Sequence, residues 1–310
     1  MPSQRNVRLL SALSLLAGCA YAQSFGNYTG ISNVSSSACP SPGGAHIIVA
    51  RASVEPEGYG IIGEVKDRVL SAVPGSNAEF VVYPATLTNY VNSEDAGVTG
   101  MKALVDAYLA KDCGAPIVLM GYSQGAQVVT DYLSGQNDAN FGYNASLTNA
   151  APNSTRSHIA AVIVMGDPSI NVTNNPFHVG NSTQSGIFSR HANSSTVLDS
   201  MASKLQSYCD ALDPYCASAG NFTHLSVHLG YVQEYGTNAT DFVARKVQEY
   251  YGNSTASSNP SASSTGSTTG SSSSETATAP AAYTGAASVL SLDSTAALAV
   301  ALGGAFMCAS

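Results

Sequence analysis

Residues 118–126 read VLMGYSQGA and place a lone serine, Ser123, between two glycines, directly after an apolar run and directly before a helix-like one. A Gly-x-Ser-x-Gly motif between a strand and a helix is typical of a sharp turn that presents a nucleophilic serine. Gly121 and Gly125 allow a close approach of strand and helix. The N–H groups at the start of the helix, from Gln124 on, would face an oxyanion formed at Ser123. An ordinary tight turn is the alternative interpretation.

The elements around this motif alternate between strands and helices. Short apolar runs rich in β-branched residues predict buried strands, and apolar positions at helical spacing predict helices. The predicted strands are residues 46–50, 80–83, 117–120 and 158–165, with a fifth within 196–210; the predicted helices are 60–73, one capped by Ser93, 124–133 and 237–251. This alternation predicts an α/β fold whose parallel sheet is covered by helices on both faces. Ligands bind beyond the carboxyl ends of such strands, and Ser123 follows the end of a central one.

The amino-terminal residues have the layout of a secretory signal peptide. Arg5 and Arg8 precede the apolar run 9–20, and Ala20-Tyr21-Ala22 forms a small-residue cleavage site. The run is too short to span a membrane comfortably. Residues 1–22 are therefore predicted to be removed, and residues 23–253 are predicted to form one domain.

The carboxyl-terminal residues predict a stalk and an anchor. Residues 254–285 are mostly Ser, Thr, Gly and Ala, a composition that buries too little apolar surface to fold and that suits O-glycosylation. Small residues around Gly285, a short spacer and an apolar end within 286–310 match a GPI-attachment signal that is removed. Gly285 is the preferred attachment residue, and a serine within 271–274 is the second choice. A loosely apolar tail on a freely secreted protein is the alternative.

Composition excludes some partners and suggests glycosylation. The chain has 12 Lys and Arg against 20 Asp and Glu and no basic patch, which argues against nucleic-acid binding. A monomer is the default expectation. Sequons for N-glycosylation are abundant, as expected of a heavily glycosylated surface protein. They lie at Asn27, Asn33, Asn144, Asn153, Asn171, Asn181, Asn193, Asn221, Asn238 and Asn253.

Four cysteines remain once Cys19 in the signal peptide and Cys308 in the predicted tail are set aside. An even number in an oxidising compartment predicts two disulfides, for which three pairings exist. Two of the cysteines are close enough in sequence to close one loop, and the other two would then tie the amino-terminal segment to the sheet. The first pair is Cys209 and Cys216, and the second is Cys39 and Cys113.

A serine nucleophile needs a histidine base and an acid, which follow it in the order Ser, acid, His in this fold class. His228 precedes the predicted closing helix and is the preferred base, with His224 as its rival. A metal site on this His-x-x-x-His pair is the other interpretation, but no cluster of carboxylates or thiolates supports it. We therefore expect no metal or cofactor. The remaining downstream histidines, His158, His178 and His191, lie in a strand or in sequon-rich loops.

The preferred acid is Asp213, in the sequence CDALDPYC at 209–216. A disulfide closing this loop would hold its carboxylate rigidly. Asp210 is interpreted as a loop-capping residue, and Asp199 has no supporting context. Asp167 follows a predicted strand and is the rival acid.

Four blocks together resemble the cutinase-like serine esterases, which are the fungal cutinases and the acetylxylan esterases of carbohydrate esterase family five. The blocks are VARAS at 49–53, GYSQG at 121–125, CDALDPYC at 209–216 and HLGYVQEYG at 228–236. The likeness extends from Cys39 to about Tyr250. It implies a compact α/β-hydrolase with a five-stranded parallel sheet.

The resemblance also implies roles for individual residues. Ser123 would be the nucleophile, His228 the base and Asp213 the acid, while Ser53 would join the Gln124 backbone N–H in the oxyanion hole. The implied disulfides are Cys39–Cys113 and Cys209–Cys216. Without the resemblance, Ser53 would be an ordinary loop residue after a strand.

The blocks EGYG at 57–60, MGDP at 165–168, DPYC at 213–216 and QEYG at 233–236 are more similar to the acetylxylan esterase branch. Two departures are a longer loop between Asp213 and His228, with a sequon at Asn221, and the absence of tryptophan.

Three aromatic side chains, Tyr59, Tyr122 and Tyr215, are candidates for stacking on a sugar ring or walling an acyl pocket, with core packing as the alternative. The expected substrate is an acetylated plant polysaccharide, xylan above all. Cutin or another short-chain polyester is the alternative substrate. A non-catalytic glycosylated cell-wall protein is the alternative of another class.

Overall fold

A computed structural model describes residues 38–138, 141–142, 144–220 and 222–257. The chain divides into the units Met1–Pro260 and Ser261–Ser310, and all described residues belong to the first. The predicted signal peptide, most of the stalk and the anchor signal with Gly285 lie outside the described residues. So do the sequons at Asn27, Asn33 and Asn221. No helix in the described part of the chain is long and apolar enough to cross a membrane.

The centre of the fold is a parallel sheet with the strand order β2-β1-β3-β4-β6-β5. Its strands are β1 (His46–Ala50), β2 (Asn77–Phe80), β3 (Ile117–Tyr122), β4 (Ile159–Met165), β5 (His178–Val179) and β6 (Leu205–Tyr208). Every residue of β1, β3 and β4 is buried, as expected of a sheet with both faces covered. The parallel sheet is therefore confirmed, with six strands rather than five, because the two-residue β5 adds to the outer edge of β6.

Helices cover both faces of this sheet. They are α1 (Gly63–Ala72), α2 (Tyr90–Leu109), α3 (Gln124–Ser134), α4 (Asn153–Arg156), α5 (Ala192–Asp199) and α6 (Leu225–Ser257). Short 3₁₀ turns lie at Ala145–Leu147, Ala202–Lys204 and Phe222–His224. Apolar side chains of α1 and α6 form one core with one face of the sheet, and those of α2 and α3 form a second core with the other face.

The second strand lies three residues earlier than predicted. Residues 81–83 were predicted as strand, but β1 ends at Ala50 and leaves them without a neighbour along most of their length. The guanidinium of Arg51 takes that place, donating to the carbonyls of Val81 (3.4 Å) and Tyr83 (2.7 Å).

Two helix starts also differ from the predictions. Ser93 does not cap α2, which begins at Tyr90; instead its hydroxyl accepts from the Thr86 N–H and donates to the Gln124 side chain. The closing helix α6 begins at Leu225, so His228 lies in its first turn rather than before it. The same helix extends to Ser257, so residues 254–257, predicted as the start of the stalk, are helical.

Two disulfides pair the cysteines as the resemblance implies. Cys39–Cys113 joins the segment before β1 to the segment after α2, with 5.4 Å between the Cα atoms. Cys209–Cys216 closes a short loop directly after β6, with 5.9 Å between the Cα atoms. The second disulfide therefore lies at the carboxyl edge of the sheet, where Ser123 also lies.

Candidate active site

Ser123 lies on a strained turn between β3 and α3. Its φ of +52° and ψ of −118° are unusual for a residue with a side chain. Both glycines of the motif are required by close packing. A Cβ on Gly121 would lie 2.2 Å from the Gly125 carbonyl oxygen, and one on Gly125 would lie 2.1 Å from the Ala50 carbonyl oxygen. The Ser123 N–H donates to the Met165 carbonyl (2.8 Å), so the neighbouring strand β4 fixes the turn.

His228 reaches Ser123 from the first turn of α6. Its Nε2 lies 2.9 Å from Ser123 Oγ, and its Nδ1 lies 2.8 Å from an Asp213 carboxylate oxygen. The Tyr122 hydroxyl donates to the His228 carbonyl (2.5 Å), which ties the helix start to the end of β3. Only a glycine fits beside the ring, since a Cβ on Gly166 would lie 2.7 Å from His228 Cε1.

Asp213 is fully buried inside the loop closed by Cys209 and Cys216. One carboxylate oxygen accepts the N–H groups of Tyr215 (2.7 Å) and Cys216 (3.0 Å). The other accepts the Tyr231 hydroxyl (2.8 Å) besides His228. Burial by itself raises the pKa of Asp213, but the hydrogen bond and charge of His228 and the Tyr215 N–H outweigh it, so the pKa lies below its usual value. This carboxylate stays ionised and orients the imidazole.

The row of Ser123, His228 and Asp213 has a defined chemical capacity. An imidazole within hydrogen-bond distance of a serine hydroxyl can accept its proton as the oxygen attacks an electrophile. A carboxylate on the far nitrogen holds the ring in the required tautomer and stabilises the imidazolium that forms. The geometry therefore suits nucleophilic attack by Ser123 on a carbonyl carbon.

The rival residues occupy other environments. Asp167 accepts the Thr130 hydroxyl (2.9 Å) and both the N–H and the hydroxyl of Ser169, rather than facing His228. Asp210 accepts the Tyr235 hydroxyl and the Asn181 N–H, which agrees with its interpretation as a loop-capping residue. His224 lies in a 3₁₀ turn. Within the described ranges, no group of three or more His, Cys, Asp or Glu side chains is arranged to hold a metal ion.

Two groups that the resemblance assigns to an oxyanion hole follow the neighbouring parallel strands β1 and β3. Ser53 follows β1 and is buried, and its Oγ has no hydrogen-bond partner within the described part of the chain. Gln124 is the first residue of α3, so its backbone N–H has no acceptor inside the helix. The Gln124 side chain is buried and engaged with Ser93 and Thr86, which leaves only its backbone for a substrate.

The three candidate tyrosines have different positions. Tyr122 is fully buried with its hydroxyl on His228, so it cannot stack on a sugar ring. The Tyr59 hydroxyl donates to the Ala78 carbonyl and its ring packs edge-on against Phe80, so this partly buried ring packs against the core beside β2. Tyr215 is half-buried with its ring centroid 4.6 Å from that of His228, so it alone of the three walls the site.

Sequence reasoning missed two residues that shape the site. Gly166, with φ +65°, lies directly after β4 and leaves room for the His228 ring. Tyr231 lies one helical turn after His228, and its hydroxyl binds Asp213. Two features of the sequence could have indicated these residues. One is a glycine at the carboxyl end of the strand beside the one that leads to the serine, and the other is an aromatic residue three positions after the histidine base.

A parallel sheet between two helical layers, with a serine on the turn after a central strand and an aspartate and a histidine following in that order, defines an α/β-hydrolase. A sequence model of the Cutinase family matches residues 38–247. The chain belongs to the cutinase family.

Named relatives agree with this assignment. Cutinase 11 of Verticillium dahliae is 36% identical over 219 residues, which cover 67% of this chain and 70% of that protein. An acetylxylan esterase of Hypocrea jecorina is 36% identical over 215 residues, which cover 66% of this chain and 67% of that protein. The solved catalytic core of acetyl xylan esterase from Trichoderma reesei is 34% identical with a TM-score of 0.58, and the match covers 67% of this chain and 100% of that one. These relatives are carboxylic ester hydrolases by name.

Proposed function

We propose that this protein is a secreted serine esterase that removes acetyl groups from xylan. The observation that carries the proposal is the hydrogen-bonded row in which His228 lies 2.9 Å from Ser123 Oγ and 2.8 Å from Asp213. Relatives named acetylxylan esterase, at 34–36% identity, support the acetyl ester as the substrate.

The reaction follows from the positions of these groups. Ser123 attacks the ester carbonyl while His228 takes the hydroxyl proton and then gives it to the departing sugar oxygen. Asp213 stabilises the imidazolium between the two transfers. The Ser53 hydroxyl and the Gln124 N–H stabilise the oxyanion, each contributing about 3 kcal/mol as in comparable sites. Water, activated by His228, then releases acetate from the acyl-enzyme. No step requires a metal or cofactor.

A polyester such as cutin is the second candidate substrate, and one observation favours it. Large apolar side chains next to the site are exposed to solvent: Val54 at 49%, Leu212 at 53% and Phe222 at 51%. Val54 follows Ser53, Leu212 precedes Asp213, and the Phe222 ring contacts the Tyr215 ring. Exposed apolar side chains that neighbour residues of the site suit an acyl chain longer than acetyl.

We also propose that the protein is delivered to the cell surface, on the strength of the signal-peptide layout at 1–22, the Ser/Thr-rich segment and the GPI-attachment pattern within 286–310. Exposed sequons support a glycosylated domain, whereas Asn171 is half-buried and bonded to the Arg190 carbonyl and the Thr173 N–H. The exposed sequons among the described residues are Asn144, Asn153, Asn181, Asn193, Asn238 and Asn253.

The test is a rate series on p-nitrophenyl esters from acetate to palmitate, with acetylated xylan and a cutin-like polyester in parallel. Ser123→Ala is the control, and a fluorophosphonate that labels activated serines reports on the nucleophile directly. We expect rates that fall with acyl length and acetate release from xylan. A maximum at butyrate or longer with polyester breakdown would move the assignment to the second candidate. An unlabelled Ser123 in folded protein would leave the non-catalytic surface protein as the better interpretation.

A further inference from the structure

The loop that follows β1 carries Ser53 and is held at its start by the core. We call residues 51–61 the Ser53 loop. Arg51 donates to the carbonyls of Glu55 (3.0 Å) and Tyr83 (2.7 Å), and the Tyr83 hydroxyl donates back to the Arg51 carbonyl. The Val54 N–H donates to the Ala85 carbonyl (2.7 Å). The first residues of the loop are therefore anchored to the chain that follows β2.

A buried carboxylate closes the Ser53 loop. Glu55 is 5% exposed, and its two carboxylate oxygens accept the N–H groups of Ala52 (2.6 Å) and Ile61 (2.7 Å). Gly60 makes room for it, since a Cβ there would lie 2.0 Å from a Glu55 oxygen. Burial raises the pKa of Glu55, while the two N–H groups and the charges of Arg51 and His228 oppose that rise.

Ser53 depends on this loop for its position. Its hydroxyl is buried and no protein group in the described residues bonds to it, so the loop backbone places the oxygen. The same backbone meets the serine turn: a Cβ on Gly125 would lie 2.5 Å from the Arg51 carbonyl oxygen. A shift of the Ser53 loop therefore changes the distance between the Ser53 hydroxyl and the Gln124 N–H.

We propose that Glu55 is a positioning residue for the reaction: by bridging Ala52 and Ile61 it holds the Ser53 hydroxyl where it can donate to the oxyanion together with the Gln124 N–H. This inference rests on the proposed function. Glu55 touches no substrate and acts only through the Ser53 loop. The expected consequence of its loss is a slower chemical step with little change in substrate binding, because the oxyanion exists only in the transition state and the intermediates.

The primary test is Glu55→Gln, which replaces one carboxylate oxygen with an NH₂ group, so one of the two backbone N–H groups faces a donor and loses its acceptor. We expect kcat on p-nitrophenyl acetate to fall about tenfold or more, within the ~10²–10³-fold cost of a lost oxyanion donor, with KM nearly unchanged. Glu79→Gln is the matched control. Glu79 is also buried, at 8% exposed, and accepts from Nε2 of His46 in β1 (2.7 Å), so it takes no part in the bridge between Ala52 and Ile61. This control should leave kcat at the wild-type value.

A double-mutant cycle separates positioning from general damage. Ser53→Ala removes the hydroxyl that Glu55 is proposed to place, so adding Glu55→Gln to it should cost little further activity. Losses that multiply in the double variant would overturn the proposal, and so would a wild-type kcat in Glu55→Gln. Should Glu55→Gln fail to fold, Glu55→Asp is the second variant. It keeps the charge but is one methylene too short to reach both N–H groups, and the same two criteria apply to it.

The wild-type protein distinguishes the two levels of failure. Esterase activity that depends on Ser123, together with Glu55 variants that match the wild type, overturns only the role of Glu55. A wild-type protein without activity that depends on Ser123 overturns both the proposed function and this inference.

Discussion

The contact between Gly166 and His228 predicts that one added methyl group disables the site without unfolding the protein. A Cβ at Gly166 would lie 2.7 Å from His228 Cε1, whereas ordinary contact begins at 3.4 Å, so the ring must move by about 0.7 Å. Cε1 lies between the two ring nitrogens, so this movement disturbs both hydrogen bonds of His228. A retreat of about 0.7 Å along the bond to Ser123 would stretch the 2.9 Å distance to about 3.6 Å, beyond hydrogen-bond length.

The expected result for Gly166→Ala is a fall in kcat of about 10²-fold on p-nitrophenyl acetate, the usual cost of misplacing a reacting group by about 1 Å. Gly166 has φ +65°, so the substitution also strains the backbone by about 1–2 kcal/mol. Gly114→Ala is the matched control, because Gly114 has φ +70° and open space around its Cβ position. The Gly114→Ala variant therefore carries a similar backbone strain, but its added methyl group contacts no other residue.

Two measurements decide the matter. Urea unfolding should show similar losses of stability for the two alanine variants, while only Gly166→Ala loses activity. Wild-type kcat in Gly166→Ala would refute the reasoning, since the ring would then have tolerated the methyl group. An equal loss of activity in Gly114→Ala would show that backbone strain alone impairs the enzyme.

Three further predictions follow from buried charges. Asp213→Asn should lower kcat by about 10⁴-fold, because an amide favours the wrong tautomer of His228, while Asp210→Asn in the same disulfide loop should keep most activity; rates on p-nitrophenyl acetate compare them. Burial raises the pKa of Glu94 from 4.5 to about 8, so the folded protein keeps a proton that the unfolded chain releases within that window. The free energy of unfolding should therefore fall as pH rises from about 4.5 to about 8, and Glu94→Gln should reduce that fall in urea titrations at several pH values; parallel curves for the two proteins would contradict this. Arg190→Met should destabilise the fold by about 3–5 kcal/mol, because it leaves the buried carboxylates of Asp131 and Asp138 without their cation; a loss below about 1 kcal/mol in urea would show that they are compensated elsewhere.

The parts of the fold that follow local chemistry could be predicted from the sequence. Strands β1, β3 and β4 are short apolar runs buried on both faces, and such runs can be located in the sequence without knowledge of their neighbours. The order of serine, aspartate and histidine along the chain, together with the CDALDPYC loop, pointed to side chains that the structure brings into one hydrogen-bonded row.

The parts that depend on tertiary partners could not be predicted in the same way. Residues 81–83 have strand-like composition, yet no strand pairs with them along most of their length. The Arg51 guanidinium donates to the carbonyls of Val81 and Tyr83 in place of a neighbouring strand. His228 belongs to α6 because the Tyr122 hydroxyl and the Asp213 loop stabilise a helix start that has no clear signal of its own. The roles of the three candidate tyrosines could not be predicted for the same reason. The sequence does not distinguish an aromatic side chain that packs in the core from one that lines the site.

The site combines three features that are unusual in proteins, and each is held by a different part of the fold. The positive φ of Ser123 is held by the sheet through the Met165 carbonyl. The buried carboxylate of Asp213 is held by two N–H groups inside a disulfide loop. The Ser53 hydroxyl, which bonds to no group among the described residues, is held by the loop that Glu55 closes. These supports meet at the site, since the Ser53 loop packs against the serine turn at Gly125 and the Tyr122 hydroxyl binds the His228 carbonyl. The activity losses of two variants that damage different supports should therefore multiply only where the two displaced groups act independently, and a smaller combined loss shows which groups act together.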